Sequence, residues 1–179
     1  MAIHKIDGGP GGETNHFPKK FVTLYTAAGI AIAKGDWIAI DLDDSTNGLG
    51  ASVEQSTVAL PQLVFGVATE AKALNDSGNI RVQVAGYYGH EDGSSATLAA
   101  GEGANVETSV AAGDFLVTSL TTAGRAQEVD NNAIVVGNSQ ANIQTAMRIA
   151  RVGIALEAAG ANNYGANETG VMIIDQGYF

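Results

Sequence analysis

The chain has 179 residues, no cysteine, 23 glycines and a formal net charge of −10. The length fits one domain with an extension, and the missing cysteines are typical of a protein made in a reducing cytoplasm without disulfide bonds. An acidic body repels phosphate backbones, and no apolar run reaches the roughly 18 residues of a membrane helix, so we expect neither a nucleic-acid partner nor a membrane.

The first twenty residues predict an extended N-terminal arm. Residues 8–12 read Gly-Gly-Pro-Gly-Gly, which interrupts helix and strand alike. Phe17, Lys19 and Lys20 lie at the end of the arm and are candidate contacts to a partner, since an arm can add to a neighbouring sheet as a strand. The alternative is a terminus that is disordered in the free protein.

Short segments of alternating apolar and polar residues follow the arm, a pattern typical of β-strands. The predicted strands of this half are 21–26, 36–42, 53–59, 63–68 and 80–84. In the second of these, Ile38, Ile40 and Leu42 share one face. Trp37 takes the other face, where it is either a packing residue or part of an interface.

The second half begins with a long loop predicted over residues 91–113, which leaves room for one short strand. Strands are predicted at 115–120, 125–129, 134–136 and 169–175. Residues 139–158 are ambiguous, because Ser139 could cap a helix, although we favour a strand from about Met147. This density of short strands and turns predicts an all-β fold, a small barrel or sandwich, in one domain over residues 21–179.

The second half repeats the pattern of the first. The matching segments are 33–42 with 111–120, 65–71 with 152–158, and 80–84 with 171–174. The repeat predicts two similar β units closed into one body. Acidic residues recur at equivalent positions, as Asp36 and Asp114 and as Glu70 and Glu157, which favours a role in turns.

One motif has the spacing of a calcium-binding loop. Asp43, Ser45 and Asn47 stand at loop positions 1, 3 and 5, glycine at position 6 and Glu54 at position 12. The flanking segments are predicted strands rather than helices, and the loop position that is normally apolar holds glycine. Turn residues of a β-hairpin explain the composition as well, so we predict no metal and no other cofactor.

Catalytic residues form no recognisable cluster in the sequence. His4, His16 and His90 lie far apart, and there is no cysteine nucleophile. We therefore expect a protein that is not an enzyme. A hydrolase acting on polysaccharide through Glu70 and Glu157 remains an alternative, because paired carboxylates perform that chemistry.

Tyr87, Tyr88 and His90 form the aromatic cluster that looks most exposed in the sequence. Together with Trp37, the tyrosines are candidates for a glycan platform or a contact between subunits. The alternative is that they end a strand with residues that favour β structure.

The glycine-rich arm, the segments Gly35-Asp36-Trp37-Ile38 and Gly113-Asp114-Phe115-Leu116, and the matching segments at 65–68 and 152–158 resemble the decoration, or cement, proteins of tailed-bacteriophage heads. The likeness covers roughly residues 30–90 and 110–175. It transfers no site residue individually, because the matching residues belong to strands and turns.

The resemblance implies a β-rich protein without catalytic residues. Such a protein sits on the outer capsid surface of the virion, at symmetry axes of the major capsid protein lattice, and reinforces the shell against internal pressure. The implied partners are the major capsid protein and further copies of the chain, as a dimer or trimer. The alternative function is a glycan-binding module on the same virion surface.

Overall fold

The computed structural model describes residues 19–27, 29–41, 52–56, 63–90, 97–129 and 151–175. Within these ranges the protein is all-β, as predicted, and its main sheet is strongly curled into a half-barrel. The strands are β1 (Lys20–Thr26), β2 (Trp37–Ile40), β3 (Val53–Gln55), β4 (Val64–Ala68), β5 (Gly78–Tyr88), β6 (Ala104–Asn105), β7 (Phe115–Thr118), β8 (Ala126–Glu128), β9 (Gly153–Ala155), β10 (Glu168–Thr169) and β11 (Val171–Ile173).

Eight strands of the main sheet follow the order β3-β2-β4-β5-β11-β9-β7-β8, and the short strands β6 and β10 form a separate pair. Strand β5 is the longest, with 11 residues. Residues 78–85 of β5 pair with β1 and residues 86–88 pair with β11, so β5 belongs to both halves of the sheet. All these ladders are antiparallel, which short turns can connect.

The strand order confirms the internal repeat, because β3-β2-β4-β5 in the first unit corresponds to β8-β7-β9-β11 in the second. The register agrees as well. The equivalent cross-strand pairs are Trp37–Val67 with Phe115–Ile154, Ile38–Gly66 with Leu116–Gly153, and Ile38–Gln55 with Leu116–Glu128. The repeated sequence is therefore a repeated pattern of strand pairing.

Two apolar clusters hold the fold together. The larger cluster lies between the units and combines Trp37 and Val67 with Leu116, Ala155 and Val171. The smaller cluster lies on the reverse face of the first unit and contains Ile38, Ala68 and Val82, with Val22 and Leu24 of β1 packed against it. Burial of this apolar surface is the main contribution to stability.

Burial on both faces corrects the expectation for strand 36–42. Trp37, Ile38 and Ala39 are successive residues of β2, and all three are fully buried. Successive side chains of β2 point to opposite faces of the sheet, so Trp37 and Ala39 pack in the larger cluster and Ile38 packs in the smaller one. Neither face of this strand is exposed to solvent. Leu42 lies outside the described residues.

Other predicted boundaries shift for identifiable reasons. Strand β5 runs on to Tyr88, beyond the predicted 80–84, because β11 pairs with its last three residues. The loop predicted at 91–113 contains β6, which pairs with β10. The last predicted strand divides at Gly170 into β10 and β11. The strand at 134–136 and the ambiguous residues 139–150 lie outside the described residues.

Candidate functional site

The two Gly-Asp turns have closely similar geometry. The carboxylate of Asp36 accepts a hydrogen bond from the backbone N–H of Ala33 at 2.7 Å, and that of Asp114 accepts one from Ala111 at 2.8 Å. The glycine before each aspartate has a φ of 93° or 90°, a left-handed conformation that favours glycine. The aspartates therefore hold the turns that open β2 and β7, as their recurrence predicted.

Asp36 has further contacts that Asp114 does not share. Its carboxylate also accepts hydrogen bonds from Gln55 Nε2 at 2.5 Å and from Asn105 Nδ2 at 2.7 Å. The residue is only 4% exposed, and this burial raises the pKa of Asp36 although the three donors oppose the rise. Asp36 thus joins β3 and β6 to the first turn. Its two side-chain donors carry no sequence signal, since no motif relates Gln55 or Asn105 to Asp36.

The two recurring glutamates also hold equivalent positions, each two residues beyond the end of its strand. Glu70 follows β4, and its Oε1 accepts a hydrogen bond from the backbone N–H of Arg81 at 2.9 Å. Glu157 follows β9 in the same way. Glu70 therefore links the turn after β4 to the neighbouring strand β5 through a hydrogen bond.

Tyr88 is part of the interior and not of a surface platform, which corrects the expectation for this residue. It is 6% exposed, and its hydroxyl lies 2.9 Å from the carbonyl oxygen of Gly101 and 3.1 Å from that of Ala68. Burial, and secondarily the charges of Glu102 and Glu168, raise the pKa of Tyr88 well above its usual range. Glu168 accepts a hydrogen bond from the N–H of Gly101 at 2.9 Å, so both side chains fix the 97–103 segment.

Trp37 is likewise internal, which corrects its assignment to a partner contact and leaves the packing alternative. Its indole has no exposed surface, and Nε1 donates to the carbonyl oxygen of Asn105 at 3.0 Å. The ring lies against Gly153 of the second unit, where an added Cβ would come within 3.1 Å of it. A residue without exposed surface has none to offer a partner.

Tyr87 keeps part of its surface. Its hydroxyl donates to the carbonyl oxygen of His90 at 2.7 Å, and the N–H of His90 donates to the hydroxyl of Tyr164 at the same distance. Lys19 Nζ stands 5.7 Å from the centre of the Tyr87 ring. The fold therefore brings Lys19, Tyr87 and His90 together, along with Tyr164, which the sequence analysis missed.

The remaining predicted residues do not converge on one site. Lys20 begins β1 and forms an ion pair with Asp175 at 3.3 Å. Glu54 lies in β3 opposite Ala39. The predicted residues outside the described ranges are Phe17, His4, His16, Asp43, Ser45 and Asn47. Among the residues that the structure describes, no three His, Cys, Asp or Glu side chains are grouped as metal ligands.

A row of partly exposed apolar side chains crosses the second unit. Phe115, Ile154, Met172 and Tyr87 are directly opposite one another on β7, β9, β11 and β5, and we call them the second-unit row. Phe115 is 40% exposed, and the guanidinium of Arg151 lies 4.2 Å from the centre of its ring. The signal for this row was the repeat itself, which aligns Phe115 with Trp37.

Comparisons with protein-family models, with curated proteins and with solved structures found no match. The segments that the structure describes include no apolar helix of membrane-crossing length.

Proposed function

We propose that this protein is a structural component of a tailed-phage virion that binds the outer surface of the capsid and stabilises the major capsid protein lattice. The observation that carries the proposal is structural. The repeated aspartates Asp36 and Asp114 accept hydrogen bonds from the backbone of the turns in which they lie. Repeated β units of this kind, after a glycine-rich arm, are the features that resemble capsid decoration proteins.

The charge distribution supports a position outside a DNA-filled shell. The whole chain carries a net charge of −10, which disfavours contact with packaged DNA. The first twenty residues contain three lysines and two acidic residues, so this segment does not share the net negative charge of the rest of the chain.

The attachment of the arm to the sheet suits it for binding a neighbour. Residues 1–18 precede Lys19 and β1 in the sequence, and β1 is paired along its length with β5. An arm that adds to a neighbouring sheet gains backbone hydrogen bonds that depend little on side-chain detail. Many copies on one shell then add weak contacts through avidity.

A sedimentation experiment tests the proposal. The full chain and a variant lacking residues 2–18, which keeps Lys19 and all of β1, are each mixed with DNA-filled phage heads and pelleted. We expect the full chain to pellet with the heads and the shortened chain to stay in the supernatant, while both have the same melting temperature. A full chain that stays in the supernatant at every ratio contradicts the function, whereas a shortened chain that still pellets contradicts the role of the arm alone.

The alternative of a glycan platform loses support from the positions of its aromatic residues. Trp37 and Tyr88 are buried, and Tyr87 is the member of the three that keeps exposed surface. Stacking on sugar rings needs an exposed aromatic face. No observation on the described residues favours this alternative over capsid binding, and we propose no catalytic activity.

A further inference from the structure

We propose that Tyr87 and Tyr164 form an oxidative cross-linking site, at which a one-electron oxidant couples the two rings into dityrosine. The product joins the end of β5 to the segment that precedes β10. The inference goes beyond attachment to a capsid and does not depend on it.

The hydroxyl groups of the two tyrosines meet although the residues are 77 positions apart in the chain, and their oxygens lie 3.4 Å from each other. The backbone of His90 holds both groups. The Tyr87 hydroxyl donates to the carbonyl oxygen of His90, and the N–H of His90 donates to the Tyr164 hydroxyl, each at 2.7 Å. One residue therefore fixes how far apart the two hydroxyl groups stand.

Glycines border the place where the hydroxyl groups meet. An added Cβ at Gly89 would lie 2.6 Å from the Tyr87 hydroxyl and 2.7 Å from the Tyr164 hydroxyl. One at Gly170 would lie 3.3 Å from Cε2 of Tyr87 and 3.4 Å from the hydroxyl of Tyr164. Cε2 is a ring carbon next to the hydroxyl, and dityrosine joins such carbons. The reactive carbon of Tyr87 and the hydroxyl of Tyr164 thus border one small space, into which neither glycine places a side chain.

The hydrogen-bond directions allow oxidation to pass from one ring to the other. Tyr87 donates its own hydrogen to His90, so the hydrogen between the two oxygens is that of Tyr164. Tyr87 is half-buried whereas Tyr164 is 6% exposed, so an oxidant in solution reaches Tyr87 first. A Tyr87 phenoxyl radical that takes the hydrogen atom of Tyr164 becomes a phenol again and is available for a second oxidation.

The coupling step balances with a peroxide or persulfate as oxidant. Each oxidation removes one electron and one proton from a phenol, and the two radicals then form a carbon–carbon bond between ring carbons next to the hydroxyl groups. The hydrogens on those carbons move back to the oxygens as the rings regain aromaticity. Two electrons and two protons have then left the protein. Hydrogen peroxide takes them at a peroxidase and becomes two water molecules, whereas persulfate takes the electrons and becomes two sulfate ions while the protons pass to water.

The cross-link supplies a covalent tie that this chain otherwise lacks, because it contains no cysteine. A bond between residues so far apart in sequence restricts the unfolded chain in the way that a disulfide does. The site therefore offers a means of locking the folded chain by oxidation.

Mild photo-oxidation of the full chain with a ruthenium complex and persulfate, at high dilution, tests the site. We expect dityrosine fluorescence in the monomer fraction. Digestion and mass spectrometry should find a linked peptide pair that contains Tyr87 and Tyr164 and has lost two hydrogen atoms. Tyr87→Phe and Tyr164→Phe should each abolish this product. Tyr25→Phe is the matched control, because Tyr25 is 38% exposed, lies on β1 and should leave the yield unchanged.

Oxidation of the parent chain in urea shows whether the product depends on the fold, and we expect the linked pair to be lost there. Three results would overturn the inference: no linked pair in the folded parent, a yield in urea equal to that of the folded chain, or a monomer product that links Tyr25 or Tyr178 instead. Melting curves identify a phenylalanine variant that fails to fold. The other variant then decides, and if both fail to fold, the comparison of folded and unfolded parent decides.

Discussion

Asp36 and Glu107 are two carboxyl groups whose pKa values the fold shifts in opposite directions. Burial dominates at Asp36 and raises its pKa above the ordinary 3.8. Burial also opposes ionisation of Glu107, but hydrogen bonds from Ser119 at 2.6 Å and Thr121 at 2.9 Å, together with the charge of Arg125, lower its pKa below the ordinary 4.5. The two residues should therefore affect stability with opposite dependence on pH.

Asp36→Asn should destabilise the protein by about 1–3 kcal/mol at neutral pH, because an amide offers one acceptor oxygen to three donors. The folded state holds the Asp36 proton at pH values where the unfolded state has lost it. The part of its contribution to stability that depends on proton binding is therefore fully present below pH 3.8 and is lost as the pH rises through the folded pKa. In urea unfolding, the difference in free energy of unfolding between parent and variant should widen as the pH falls.

Asp114→Asn is the matched control for that measurement. Its amide oxygen still accepts the turn bond from Ala111, and the change leaves Gln55 and Asn105 undisturbed, so it should cost less than Asp36→Asn. A difference for Asp36→Asn that narrows on acidification would contradict the assigned effect of burial.

Glu107→Gln should show the reverse pattern. A lowered pKa means that the contribution of Glu107 is present above pH 4.5 and is lost as the pH falls through the folded pKa. In urea unfolding, the variant should therefore be less stable than the parent by the largest amount at neutral pH. This difference in free energy of unfolding should become smaller as the pH falls. A loss that stays constant across this range would contradict the account.

At the scale of the elements, two equivalent glycines explain how the strands of each unit approach one another. An added Cβ at Gly66 would meet the backbone carbonyl of Gln83, and one at Gly153 would lie 2.9 Å from the carbonyl oxygen of Met172. Both glycines stand opposite the second residue of the strand that follows a Gly-Asp turn. Both units therefore have a glycine at the equivalent position, where a side chain would not fit.

Gly66→Ala and Gly153→Ala should each destabilise the fold by about 1–3 kcal/mol, because backbone atoms must move to admit the methyl group. Gly165→Ala is the control, since its nearest contact is the side chain of Glu168 at 3.4 Å, an ordinary van der Waals distance. Unfolding midpoints in guanidinium measure the three variants side by side. If Gly66→Ala matched the control in stability, the close packing of β4 on β5 would be wrong.

At the scale of the whole molecule, the larger apolar cluster couples the two units. Trp37 of the first unit and Leu116 of the second are both fully buried in it. Trp37 is also the sole tryptophan of the chain, so its fluorescence reports unfolding at the contact between the units. Two units that share one core should unfold in a single transition.

Unfolding followed by Trp37 fluorescence and by far-ultraviolet circular dichroism should therefore give coincident curves. Leu116→Ala, placed in the second unit, should lower the free energy of unfolding by about 2–5 kcal/mol, because it leaves a cavity in the shared core. Both curves should move to the same lower midpoint. Fluorescence that keeps its parent midpoint in this variant, while the dichroism curve shifts, would show that the units unfold separately.

Local features of this fold were predictable where short-range geometry decides them. The strand at 80–84 and the turn function of Asp36 and Asp114 are confirmed, because alternation and Gly-Asp turns depend on neighbouring residues. The sequence left Trp37 between packing and an interface, and Tyr88 between a surface platform and the end of a strand. Burial decides for packing and for the strand end, because each residue is covered by a segment distant in sequence. Tyr88 lies under Gly101, and Trp37 lies between Asn105 and Gly153.

The amino-acid sequence by itself determined the strands, the turns and the two-fold repetition, since these follow from backbone preferences and periodicity. Tertiary structure alone decided which copy of each repeated feature is buried. Trp37 and Phe115 follow the same Gly-Asp turn and face equivalent partners, yet one is fully buried and the other is 40% exposed. The physical reason is that hydrogen bonding within a ladder is local, whereas removal of a side chain from water depends on what the rest of the chain places over it.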